Sequence, residues 1–196
     1  MHFFPYNRGM ILADLDIKKA LDAKQIIIRP QPQLKQALSA CSLDLRLNND
    51  FELFENIHFK YYDIKKPPLT LSKKLTLDKN KPFILKAGAF VLASTLEWVE
   101  LPDNIAGRLE GRSSLGRLGI IVHSTAALIH PGFKGRIVLE LSNLSPFAVA
   151  LYPGMRICAL SFEKLTSKAQ KPYYKQKSAK YNQQSGALGS KINQEN

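Results

Sequence analysis

A single carboxylate stands inside the apolar run Ile137-Val138-Leu139-Glu140-Leu141. On a strand, successive side chains face opposite ways, so Ile137, Leu139 and Leu141 share one face, and Val138 and Glu140 the other. A carboxylate in such surroundings is costly to bury unless it is paired or protonated. Desolvation raises a carboxyl's pKa toward the range that suits proton shuttling near neutral pH. The run alone leaves open a plainer role, a solvent-facing glutamate on an exposed sheet face.

A second stretch with chemical potential is Gly111-Arg112-Ser113-Ser114-Leu115-Gly116-Arg117. Adjacent hydroxyls, flexible glycines and guanidinium forks can cradle a phosphate, with backbone N–H groups at a turn adding donors. A serine-rich turn with surface arginines fits the same residues. A third stretch runs from His123 through Ser124-Thr125-Ala126-Ala127 to His130-Pro131-Gly132-Phe133-Lys134-Gly135. Its last part is a turn, and its small residues could let a backbone carbonyl approach a planar base. Near the C-terminus, Tyr173, Lys180, Tyr181 and Gln184 are types that stack on a sugar or base, meet phosphate and bond a base edge. There is no GxxxxGK[ST] phosphate loop, no HxE with a later PCxxC zinc signature, and no GxSxG elbow.

Strands must position most of these groups. From Phe83 onward, short β-rich segments follow one another with Gly, Pro or Asn between them, the pattern of an all-β sandwich or barrel. Upstream, residues 12–24 predict a helix with Asp14 as its N-cap, and Ser42–Leu47 alternates as a half-buried strand. Asp44 and Arg46 would share one face of that strand. The lysine-rich, proline-broken span 55–82 predicts loops and edge strands. After Leu165 the apolar density falls, which predicts a polar, flexible tail over about 166–196.

The 196 residues suit one domain, with 45% apolar residues to build its core. No apolar run is long enough for a membrane helix and no secretory leader is evident, so a cytoplasmic protein is expected. Two cysteines, Cys41 and Cys158, are too few for a disulfide framework or structural zinc, and both are expected to be buried thiols. The net charge of +12 points to a polyanionic partner. Seven lysines and one acidic residue lie between Lys164 and Asn196, but no nucleic-acid-binding module accompanies them.

Together, EGRSSLGRLG, HSTA, the PGFKGRIVLELSN stretch, LYPGMRICALSFEKL and the KPYY…SAKYNQQSGA tail resemble the dCTP deaminases, of the trimeric dUTPase-like superfamily. The resemblance implies a mainly β, distorted antiparallel barrel with a short N-terminal helix, its core about 12–165. It implies a homotrimer with active sites between subunits, acting on dCTP to give dUTP and ammonia, without zinc. Glu140 matches the catalytic glutamate, and Ser113 and the Ala126 carbonyl match groups that place the water and base. Arg112, Ser113, Ser114, Leu115, Gly116 and Arg117 match the phosphate-binding stretch, and Val138, Leu139 and Glu140 the base-binding strand. Tyr173, Lys180 and Gln184 match tail residues that close over the triphosphate, which binds with Mg²⁺. The resemblance also implies dTTP as an inhibitor. His130 departs from it, standing where the family usually has an Asp that contacts the deoxyribose 3′-hydroxyl. Ala127-Leu128 departs as well. These departures keep two alternatives open: a bifunctional enzyme that carries dCTP through to dUMP and pyrophosphate, and a regulatory nucleotide-binding protein.

Overall fold

The computed structural model describes residues 10–54, 60–66, 72–78 and 80–194. The chain enters through β1 (Met10–Ile11), α1 (Asp14–Asp22), β2 (Ile27–Arg29), α2 (Leu34–Ala37) and β3 (Leu38–Ser39). Its central strands are β4 (Ser42–Leu53), β5 (Lys73–Thr76), β6 (Phe83–Leu85), β7 (Phe90–Glu100) and β8 (Ile105–Gly111). Next come α3 (Ser113–Gly116), β9 (Ile120–Ile121), β10 (Leu128–Ile129), β11 (Lys134–Asn143), β12 (Val149–Leu151) and β13 (Arg156–Lys164). The result is mainly β, a curled, wholly antiparallel sheet in the order β10-β8-β13-β4-β7-β11-β9. The short strands β1, β2, β3 and β5 pair along its length, and β12 pairs with β6 apart from it.

Alternation explains the framework. On β11 every second residue from Gly135 to Asn143 is buried, and the intervening Arg136, Val138, Glu140 and Ser142 are half-buried. Leu139 and Leu141 enter a core shared with Leu43, Leu45, Leu47, Ile157 and Phe162. One sheet is thus two-sided: one face packs the core, and the other carries the polar residues of interest.

Several expectations needed correction. The helix is shorter than 12–24, and its N-cap is Ala13 rather than Asp14, whose carboxylate instead accepts the Leu15 N–H. Ile17, Ala20 and Leu21 form its buried face, while Leu15 is exposed. β4 runs well beyond Leu47, because Asn48, Asp50 and Glu52 continue the alternation with polar side chains against β5 and β7. Cys41 is exposed; only Cys158 is buried. Burial drives the Cys158 thiol far above its ordinary range, which leaves it chemically inert. Residues 55–59, 67–71 and 79, within the expected loop region, lie outside the described residues. No described helix is long and apolar enough to cross a membrane.

Asp44 and Arg46 do not pair with each other. Asp44 bonds Arg112 and Arg156, both at 3.2 Å. Arg46 meets Glu97, which is 0% exposed and accepts both the Arg46 backbone N–H, at 2.8 Å, and its Nε, at 2.6 Å. A buried charge is tolerable only with such partners.

Candidate active site

β4, β7 and β11 place three residues in one row on their shared face, with Leu92 opposite both Glu52 and Glu140. Two strand spacings put Glu52 and Glu140 roughly 10 Å apart. Next to this row, β11 carries a bulge between Arg136 and Val138. The Ile137 N–H beside it is satisfied by the Thr95 hydroxyl at 3.0 Å. Bulges re-aim side chains at functional sites, and this one lies just before the strand segment that carries Glu140.

Glu140 is half-buried, and its Oε2 accepts the Ser124 N–H at 2.7 Å. Its own backbone N–H bonds the Val122 carbonyl at 3.0 Å. The segment that follows β9 is thereby laced to β11, and the carboxylate is held on one oxygen. Among the described residues the other oxygen receives no hydrogen bond. Glu140 borders a cavity of about 820 Å³ that also reaches Ala126, His130, Val138, Tyr173 and Gln184. That volume is in the range of small-molecule sites.

Tail residues form much of the far wall. The Tyr173 N–H bonds the Pro131 carbonyl at 2.7 Å. The His130 and Tyr173 rings lie parallel, 5.9 Å between centroids. Burial raises the Tyr173 phenol above its ordinary pKa, partly offset by the Tyr181 N–H that the phenol oxygen accepts. Further on, Gln184 bridges to β11: its carbonyl accepts the Arg136 N–H at 2.9 Å and its amide donates to the Arg136 carbonyl at 2.8 Å. This contact explains Gly135, whose added Cβ would sit 3.0 Å from the Gln184 carbonyl oxygen. Gly132 has a positive φ of 78°, and a Cβ there would meet Pro172 at 2.8 Å. Both glycines of the PGFKG turn make room for the tail.

The segment expected to be flexible is therefore docked onto the sheet. Asp50 secures its distal part, accepting the Ala187 N–H and, at 2.6 Å, the Ser94 hydroxyl. Asp50→Ala should release this anchor. Hydrogen exchange at 186–191 is expected to rise at least tenfold, as loss of a charge-assisted bond implies, with exchange in β7 and β11 little changed. Unchanged protection at 186–191 would show that Asp50 is not the anchor.

The candidate residues do not all converge. Glu140, Ala126, His130, Val138, Tyr173 and Gln184 border one cavity; Lys180 lines an adjoining smaller one. Leu139 is 0% exposed in the core and does not line the cavity. Leu115 is also buried in the core. Arg112, Ser113, Ser114, Gly116 and Arg117 lie outside the Glu140 cavity of the same chain, on and beside α3. The Ser124 N–H and Asp50 were not foreseen. The first is a backbone group with no side-chain signature; the second was visible in the continued alternation at positions 48, 50 and 52.

A family model described as dCTP deaminase-like matches residues 11–165. The chain is 50% identical over 190 residues to a dUMP-forming dCTP deaminase of Dictyoglomus turgidum, covering 94% of this chain and 95% of that protein. It is 49% identical over 188 residues to a dCTP deaminase of Thermomicrobium roseum, with 95% of each covered. The fold is also similar to the crystal structure of 2'-deoxycytidine 5'-triphosphate deaminase from Agrobacterium tumefaciens, with a TM-score of 0.61 and 20% identity. That match covers 80% of this chain and spans about half, 48%, of that one.

Proposed function

Since the chain belongs to the dCTP deaminase-like family, we propose that it hydrolyses dCTP to dUTP and ammonia, with Glu140 as general acid and base. The observation that carries this reading is the Glu140 carboxylate itself. It is half-buried, fixed on one oxygen by the Ser124 N–H, and part of the lining of a cavity in the size range of small-molecule sites.

In this mechanism Glu140 takes a proton from water as the water oxygen bonds to C4 of cytosine, and passes that proton to N3. The tetrahedral carbon then collapses. The new hydroxyl gives its proton to Glu140, which hands it to the amino group; the C4–N4 bond breaks and ammonia leaves. Rate enhancement from such a positioned carboxylate is about 10²–10⁴-fold. In this reading the Ala126 carbonyl meets the base, and Tyr173 and His130 grip the sugar; all three residues line the cavity. Mg²⁺ enters as part of the substrate, held by the phosphate oxygens, as is usual for nucleotides.

The Arg112–Arg117 stretch is the phosphate site of this reading, with Ser113 helping to place the water. It lies outside the Glu140 cavity of its own chain, so a second copy must bring it there, and a homotrimer with shared sites satisfies that need. Competition by dTTP at the same site belongs to this reading, as does a role in the cytoplasm.

Incubation with Mg²⁺ and dCTP, followed by ammonia assay and nucleotide chromatography, tests the proposal. dUTP and ammonia in equal amounts are expected; no turnover at micromolar enzyme would count decisively against it. A second reading is favoured by the name of the D. turgidum relative: onward cleavage to dUMP and pyrophosphate. The same chromatogram separates the two, because dUMP replaces dUTP as the end product.

A further inference from the structure

We infer that Arg156 is a second phosphate-binding guanidinium, and that Asp44 is the positioning residue that sets it beside Arg112. The inference rests on the reading of Arg112–Arg117 as the polyphosphate site. Arg156 opens β13, a strand flanked by β4 and β8. Cys158 lies opposite Gly111, at the end of β8, so the start of β13 and the residue after β8 come out at the same edge of the sheet.

There one carboxylate oxygen, Asp44 Oδ2, holds Arg112 Nε and Arg156 Nη1, each at 3.2 Å. Asp44 is 8% exposed, so its position is fixed by the strand around it. The two arginines are also tied to the backbone: Arg112 Nη1 donates to the Arg156 carbonyl at 3.1 Å, and Arg156 Nη1 donates to the Gln36 carbonyl of α2 at 2.6 Å.

This arrangement does more than neutralise a buried acid. One negative charge faces two positive ones, which leaves a net positive charge at a preorganised point. Each guanidinium has five N–H donors, and the contacts above engage only part of each fork. The Arg156 side chain is 44% exposed, enough to reach a ligand. Ser113 and Ser114 follow Arg112 directly and are exposed, and Arg117, also exposed, forms no ion pair among the described residues. The ligand chemistry that fits is an extended polyanion, the triphosphate of a nucleotide, rather than a lone carboxylate. Planar forks pinned along one edge present the other edge bidentately.

Steady-state kinetics of the full chain with Mg²⁺ and dCTP test the inference. Arg156→Gln can keep the bond to Gln36 but loses the charge. KM is expected to rise about tenfold or more, the size of a lost charge-assisted contact, while kcat falls far less. Arg156→Lys should recover part of the loss, which a purely structural role would not predict. Inhibition by inorganic tripolyphosphate should weaken in parallel. An unchanged KM and unchanged tripolyphosphate inhibition in Arg156→Gln, with Arg112→Gln still raising KM and weakening that inhibition, overturns the inference and leaves the deamination reading standing. If the parent chain fails to turn over dCTP, the deamination reading falls instead. Calorimetry with tripolyphosphate then decides Arg156 alone: weaker binding in Arg156→Gln supports it, and equal binding overturns it.

Discussion

Replacing Glu140 with Gln is expected to lower kcat for dCTP by about a thousandfold or more, within the range a general acid–base group contributes, while nucleotide affinity is expected to change little. The reason is local. A glutamine oxygen can still accept the Ser124 N–H that Glu140 Oε2 accepts at 2.7 Å, so the strand and cavity wall stay in place. Its other atom is an amide nitrogen, which cannot take a proton from water. Steady-state rates with dCTP, together with calorimetric binding of dCTP to the variant, separate the two effects. Activity within tenfold of the parent would remove Glu140 from proton transfer, and loss of binding alongside activity would make its role one of holding the base.

A comparable effect on stability is expected at Arg46. Glu97 is 0% exposed and is held by two donors of Arg46, one from its backbone and one from its side chain. Arg46→Met retains the backbone donor and much of the side-chain volume but leaves a fully buried carboxylate without its cation. Breaking a buried pair in this way costs about 3–5 kcal/mol. For a domain of this size, that corresponds to a drop in Tm of roughly 6–20 °C. Thermal unfolding followed by circular dichroism measures it. Arg46→Met combined with Glu97→Leu should recover most of the loss, since an apolar pair of similar volume removes the orphaned charge. A single variant as stable as the parent would show that the Arg46–Glu97 pair does not hold the fold together.

The two sites illustrate how far one-dimensional pattern carries. Glu140 was conspicuous because a charged residue interrupts an apolar alternation, and alternation is a local property of the strand. Asp44 and Arg46 were equally visible as a same-face pair, yet each is bonded to other residues and not to its neighbour on the strand. Their partners, Arg112, Arg156 and Glu97, come from β13, from β7 and from the residue after β8, brought alongside by strand order. Spacing within a strand says which face a residue takes; it does not say which strand lies next to it. The tail shows the same limit. Its low apolar density suggested a flexible segment, but its anchors include backbone groups, such as the N–H groups of Gln183 and Ala187 and the carbonyl of Gln184. Backbone donors and acceptors are present in every sequence alike and leave no compositional trace.

By itself, then, the sequence determined the strand-rich class, the two-faced character of the Glu140 strand and the residue types available for proton transfer and phosphate binding. Those follow from side-chain chemistry and the two-residue period of a strand. Only the tertiary structure decided that Ser124 fixes Glu140, that Asp44 gathers two arginines and that backbone groups anchor the tail to the sheet. It also decided that the arginine–serine stretch lies outside the Glu140 cavity of its own chain. Each of these depends on contacts between segments far apart in the chain, set by register and by the curl of the sheet, and neither can be read from local periodicity.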